Sequence, residues 1–269
     1  MSRPIAAALY SLDAEARRDF GGALERVAEI GFLGVELESF HGMAPAELRS
    51  RLDGLGLTVT SAQVDLTPED AERLLDEQEV VGNRRVITDF GPEDFATPDA
   101  LARTAEEFNE LAALVRARGM TLGYHNHWWE FTPSGAGELP AVELLRRLDP
   151  DVFLEIDLYY VQTAWERTRA NDPVAALGQL AERARLVHVK DGPCTEAASP
   201  EGAIDVAGLL LDPSTAIGDG ILDVPALLAA LPQADWHIVE VDTTVPDMFD
   251  VMADSYRHLT ERGLSHGRS

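Results

Sequence analysis

A single cysteine, Cys194, in 269 residues is too little for an internal disulfide or for a metal site built from several thiolates. Long hydrophobic runs are missing as well. No apolar stretch approaches the roughly 20 residues that cross a bilayer, so no membrane partner is expected. A strand-like segment already begins at Ile5, which leaves no room for a basic, apolar and cleavable leader; the expected compartment is the cytoplasm. Positive charge is scarce. Lys and Arg number 22 against 47 Asp and Glu, a formal net charge of −25, and the arginine pairs Arg17-Arg18, Arg84-Arg85 and Arg146-Arg147 are scattered. That field repels phosphate backbones, which argues against nucleic acid as a partner. No Pro/Gly/Ser-rich linker divides the chain, so one domain spanning 1–269 is expected. The first strand lacks the G-x-G-x-x-G turn of a dinucleotide-binding fold.

What the sequence does have is alternation. Strand-like segments run from Ile5 to Tyr10, Gly34 to Glu38, Leu57 to Val64, Val86 to Thr88, Thr121 to His127, Val152 to Tyr159, Leu186 to Asp191 and Trp236 to Asp242. Between them lie helical patterns with legible ends. Leu101, Ala105, Phe108, Ala112 and Val115 recur at helical spacing after Thr97-Pro98 and before Gly119. Thr67-Pro68, Asp172-Pro173 and Asp223-Val224-Pro225 are further starts; Gly31 and Gly263 are further stops. Eight strands alternating with helices predict an α/β protein, a parallel (β/α)8 TIM barrel, with an open doubly wound sheet as the structural competitor. About thirty residues separate Asp191 from the helix near Pro225, far beyond an ordinary connection, and that loop is the candidate lid.

Strand parity sorts side chains into those facing the helices and those facing the barrel axis. In 152–159 the aliphatic Val152, Leu154, Ile156 and Leu158 face out, which turns Glu155, Asp157 and Tyr159 inward. The same reasoning turns His188 and Lys190, Glu240 and Asp242, Glu36 and Glu38, and His125 and His127 inward. Barrel interiors are ordinarily layers of Val, Ile and Leu, and unpaired buried charge is costly. The inward charges must therefore pair with one another or bind a cation. Glu155 or Glu36 could form an ion pair with Lys190, and His127 could be a hydrogen-bonded core histidine. Asp157, His188 and Glu240, near the strand ends, form a candidate divalent-metal site; carboxylate and imidazole ligands suit Mn²⁺, Mg²⁺, Co²⁺ or Zn²⁺.

The run Y-H-N-H-W-W-E-F at 124–131, L-E-I-D-L-Y-Y at 154–160, L-V-H-V-K-D at 186–191, G-D-G-I-L-D-V-P at 218–225 and I-V-E-V-D at 238–242 together resemble the xylose-isomerase-like TIM barrels, the group of sugar phosphate isomerases and epimerases. The resemblance implies one divalent cation held by ligands from the fifth to eighth strands. Asp157, His188 and Glu240 supply three of them. On the fifth strand His125 stands where a glutamate is usual, with His127 and Glu130 as alternatives. The implied activity is isomerisation or epimerisation of a keto sugar or cyclitol through an enediolate, with Glu240 as one base and Glu130, Glu155 or a histidine as its opposite-face partner. Lys190 would neutralise the enediolate oxygen, and Trp128, Trp129 and Glu36 would contact substrate. The histidine departure keeps a metal-dependent lyase open, of the inosose dehydratase or 3-keto-glycoside-eliminating kind, since an imidazole can protonate a leaving group. A sugar-binding protein without turnover is a third reading. The expected partner is a small carbohydrate, with a homo-oligomer left open; Gly218, Asp219 and Gly220 are read as a lid-closing turn.

Overall fold

The computed structural model describes residues 2–133, 138–194, 214–242, 244 and 246–268. The candidate lid falls largely on 195–213, outside the described residues. Eight parallel strands close a barrel: β1 (Arg3–Ala8), β2 (Gly34–Leu37), β3 (Thr58–Gln63), β4 (Arg85–Thr88), β5 (Thr121–His125), β6 (Phe153–Asp157), β7 (Ala184–Val189) and β8 (Trp236–Val239). Closure is explicit, because β1 pairs in parallel with both β2, Ala7 opposite Val35, and β8, Ala7 opposite Val239. The open-sheet alternative is thereby excluded. Helices α1 (Asp13–Ile30), α2 (Pro45–Leu55), α3 (Ala71–Val81), α4 (Pro98–Ala117), α5 (Pro140–Arg147), α6 (Leu158–Thr168), α7 (Pro173–Gly178), α8 (Val224–Ala229) and α9 (Met248–Glu261) surround it.

Helix boundaries follow cap chemistry. Thr97 Oγ1 accepts from Ala100 N at 3.1 Å to open α4, and Asp172 and Asp223 do the same for α7 and α8. Thr67-Pro68 differs from expectation: it makes a turn, with Thr67 O accepting from Ala71 N at 2.9 Å, and α3 begins only at Ala71. Strands end earlier than their apolar alternation suggests. The clearest case is β6, where Asp157 Oδ1 accepts from Tyr160 N at 3.0 Å and caps α6 directly. Leu158 and Tyr159 are therefore helical, and Tyr159 packs in the outer core rather than facing the axis.

The parity reading otherwise holds. Val35, Leu122, Tyr124, Leu154, Ile156, Val187 and Val239 belong to the large core between barrel and helices. A second, inner cluster of Ala6, Ala8, Ile87, Phe153, Leu186 and Ile238 fills the barrel floor. Gly123 makes room for it, since a Cβ there would lie 2.5 Å from the Phe153 ring. Along each of β6, β7 and β8 the inward series thus runs from apolar to charged: Phe153, Glu155, Asp157; Leu186, His188, Lys190; Ile238, Glu240. The charge gathers at the C-terminal rim, where barrel enzymes place their sites.

A short ninth strand, β9 (Ser265–His266), pairs alongside β1 and has no forecast in the sequence pattern. It covers His237, whose Nδ1 lies 2.8 Å from Ser265 Oγ. Burial, helped by Arg3 and His266, pushes the His237 imidazole down to about 4. A histidine neutral in the fold but protonated in the unfolded chain contributes stability that is fully present above pH 6.5 and lost as pH falls toward 4, at most about 3 kcal/mol. Thermal melts should therefore show the midpoint dropping across that window. His237→Gln should flatten part of the slope, and His125, also lowered to about 4, contributes in the same direction. An unchanged slope in the variant would remove His237 from this account.

Candidate active site

β6, β7 and β8 bring their last inward side chains to one point. Lys190, 2 % exposed and just past β7, places Nζ 2.9 Å from Asp157 Oδ2, 3.0 Å from Glu240 Oε1 and 3.0 Å from Asp242 Oδ1. Its ammonium also lies 4.6 Å over the Tyr160 ring. His188 is wholly buried among three carboxyls: Nδ1 meets Glu240 Oε2, while Nε2 lies 2.7 Å from Glu36 Oε1 and 3.4 Å from Glu155 Oε2. From β5, His125 Nδ1 lies 3.0 Å from the same Glu155 oxygen, and its ring is 4.9 Å from that of His188. Ser61 on β3 donates to the other Glu36 oxygen at 2.5 Å.

The electrostatics follow from burial set against neighbouring charge. Burial works against a charged His188, but Glu155, Glu240 and Glu36 outweigh it and lift the imidazole well above its usual value. Burial likewise disfavours the Lys190 cation, and Asp157, Asp242 and Glu240 more than restore it. For Glu240 burial favours the proton, yet Lys190 and His188 hold the carboxylate well below the ordinary range. Burial, then Glu155, pushes Glu36 up to about 8, so it is protonated at neutral pH. Burial pushes Asp242 up to about 6.

The donor set suits a divalent cation. His125, Asp157 and His188 each offer a ligand atom, all within 4.8 Å of one another, with Glu240 in contact with His188. Glu36, Glu155 and His188 form a second such group, which shares His188 with the first. Among the described residues, five carboxyl groups, on Glu36, Glu155, Asp157, Glu240 and Asp242, face Lys190 and His188 as their cations. Such an excess of buried acid calls for protons or for a further cation.

Above the cluster stands His127, two residues past the end of β5. Its ring stacks on Trp129 at 4.2 Å and 12°, and lies 5.2 Å from Tyr160. Glu130 is fully buried and engaged below it, accepting from Tyr124 Oη at 2.7 Å and from the His127 backbone N–H at 3.0 Å, with His127 Nδ1 3.9 Å away. Burial alone would lower the His127 imidazole, but Glu130 raises it above its usual value. His127 and Trp129 line a cavity of about 490 Å³ together with Asp89 and Phe90.

The structure thus brings together His125, Asp157, His188, Glu240, Lys190 and, beneath them, Glu155 and Glu36. Neither Glu155 nor Glu36 pairs with Lys190; both meet histidines. Glu36 and Trp128 do not line the cavities beside the cluster: Trp128 packs under the Arg167 guanidinium at 3.9 Å, and Trp129 alone of the two faces a cavity. Asp191 takes over the turn expected at Gly218–Gly220. Its carboxylate accepts from Gly192, Gly218, Gly220 and Leu222 N–H groups at 2.9 to 3.2 Å, and a Cβ at Gly220 would collide with it. Three members had no assigned part: Asp242, Tyr160 and Ser61. Inward parity pointed to Asp242; no pattern in the sequence singled out the other two.

Residues 24–262 match the family model described as the xylose isomerase-like TIM barrel. The chain belongs to this family. Among its relatives is the inosose dehydratase of Yersinia enterocolitica serotype O:8, 23 % identical over 279 residues that cover 90 % of this chain and 89 % of the relative. A sugar phosphate isomerase/epimerase from Parabacteroides distasonis superposes with a TM-score of 0.76 at 20 % identity, over 99 % of this chain and 96 % of that one. The IOLI protein, solved with a bound zinc atom, superposes at 0.70 with 12 % identity, over 98 % and 96 %. At such identities the two structures speak for the shared xylose isomerase-like barrel alone. No helix among the described residues is long and apolar enough to cross a membrane.

Proposed function

We propose that this chain is a divalent-metal-dependent lyase that dehydrates a keto sugar or a cyclitol ketone. His125, Asp157, His188 and Glu240 would hold the cation. When bound, it would polarise the substrate carbonyl and acidify the neighbouring C–H bond. Glu240, kept ionised by Lys190 and His188, accepts that proton. The Lys190 ammonium balances negative charge growing on the carbonyl oxygen. His127, whose imidazole Glu130 raises and whose ring stacks on Trp129, gives its proton to the departing hydroxyl. The C–O bond breaks, water leaves, and a C=C bond conjugated with the carbonyl remains.

The observation that carries this reading is the engagement of Glu130. Epimerisation by two carboxylates needs a free one opposite Glu240, and Glu130 is tied to Tyr124 and His127 while Glu155 lies wholly buried under His125. Of the opposite-face partners that the family resemblance implied, Glu130, Glu155 or a histidine, the histidine is left. Isomerisation, ranked first by the sequence, is therefore placed second; the similarity to inosose dehydratases points the same way.

The test is incubation of the metal-loaded protein with an inosose in deuterated water. Loss of water with an unsaturated ketone is expected; an epimer carrying deuterium without mass loss would favour isomerisation instead. His127→Gln should lower dehydration at least about 100-fold while C–H exchange with solvent persists. Equal loss of both steps would remove His127 as the acid.

A further inference from the structure

We infer that the ring undergoing reaction carries a second, uncharged sugar ring, and that this second ring lies over the C-terminal ends of β1 to β4. The inference rests on reading the cluster at β5 to β8 as the reaction centre. On the opposite half of the rim the structure has a cleft of about 1170 Å³. That size accommodates a drug-sized ligand, well beyond a single hexose ring.

The cleft meets the reaction centre at two edges. Tyr10 lines both the cleft and a smaller cavity holding Asp242, and its phenol feels the charges of Asp242, Glu240 and Lys190. At the other edge Asp89 lines both the cleft and the cavity of His127 and Trp129. Both shared residues place the cleft directly beside the reaction centre.

The lining is poised for hydroxyl groups. Among the described residues the side chains of Tyr10, Glu38, Gln63, Thr88 and Asp89 make no hydrogen bond or ion pair, whereas the carboxyls at the cluster are all engaged. Phenol, amide, hydroxyl and carboxylate together offer the donors and acceptors that a polyol requires, and half-buried Phe40 adds an apolar face. An anionic substituent would meet an excess of acid, since Asp13, Glu38, Asp65, Asp70, Glu77 and Asp89 line the cleft with Arg17, Arg73 and His41. Arg17 is held by Asp13 at 2.7 Å, and Arg73 by Asp70 at 3.2 Å and Glu77 at 3.4 Å. The ring bound here is accordingly neutral, neither a phosphate ester nor a sugar acid.

The test uses the metal-loaded protein with D-glucose, maltose, cellobiose and trehalose as probes, titrated by calorimetry with elemental analysis alongside. At least one disaccharide is expected to bind 10-fold or more tightly than glucose. Gln63→Ala combined with Thr88→Val should bring that affinity down to the glucose value without altering metal content or glucose binding. Equal affinities for all four sugars, or a preference that survives in the double variant, would overturn the inference. If the protein holds no cation but the disaccharide preference is present and lost in the double variant, the subsite stands and the metal-centred reading falls. A loaded protein that lacks the preference removes the subsite alone.

Discussion

Asp157→Asn should lower the affinity for a divalent cation by more than about 100-fold, measured by competition with a chelating dye. Losing a ligand's charge ought to exceed the 10–100-fold expected when a residue supporting a ligand is changed. The substitution is informative because of a second task of Asp157. Its Oδ1 accepts from Tyr160 N and opens α6, and an asparagine oxygen can still cap that helix. The variant should therefore keep the start of α6 and bind metal poorly. Glu36→Gln provides the comparison: its carboxyl touches His188 Nε2 and Ser61 without joining the proposed ligand set, so a 10–100-fold loss is expected. If Asp157→Asn retains wild-type affinity, Asp157 is not a ligand. If Glu36→Gln costs as much as Asp157→Asn, Glu36 belongs among the ligands.

Lys190→Met should destabilise the metal-free protein by about 3–5 kcal/mol, because it removes the cation shared by Asp157, Glu240 and Asp242 and leaves their buried charges uncompensated. The sign of the metal effect then reverses the usual expectation for a damaged site. A divalent cation bound between Asp157 and Glu240 would take over part of the compensation lost with the ammonium. The rise in melting temperature on adding metal should accordingly be larger in the variant than in the wild type. A variant as stable as wild type without metal would mean that these carboxyls are protonated rather than paired with Lys190. A smaller metal-induced rise would mean that Lys190 helps to build the cation site instead of competing for its space.

The barrel was legible because its signal is repeated and redundant. Alternating aliphatic positions such as Leu154, Ile156, Val187 and Val189 mark the face that meets the helices, and that parity alone turned Asp157, His188, Lys190 and Glu240 toward one axis. Strand ends were less legible, because hydrophobic alternation continues past the point where hydrogen bonding stops. Asp157 ends β6 by capping α6, so Leu158 and Tyr159 keep the apolar pattern while leaving the strand. Partnerships across the barrel were hidden for a different reason. Glu36 meets His188, 152 positions away, and parity says which way a side chain faces but not which strand's residue it meets. Glu130 shows the same limit at short range. The family resemblance offers it as an alternative metal ligand, whereas Tyr124, six residues before it, holds it through the phenol.

The most direct measurement is anomalous diffraction from crystals grown with Mn²⁺. The expected result is one strong peak at the C-terminal rim, within coordination distance of atoms of His125, Asp157, His188 and Glu240. No peak there, or a peak held by Glu36 and Glu155 with Lys190 still bridging Asp157 and Glu240, would contradict it.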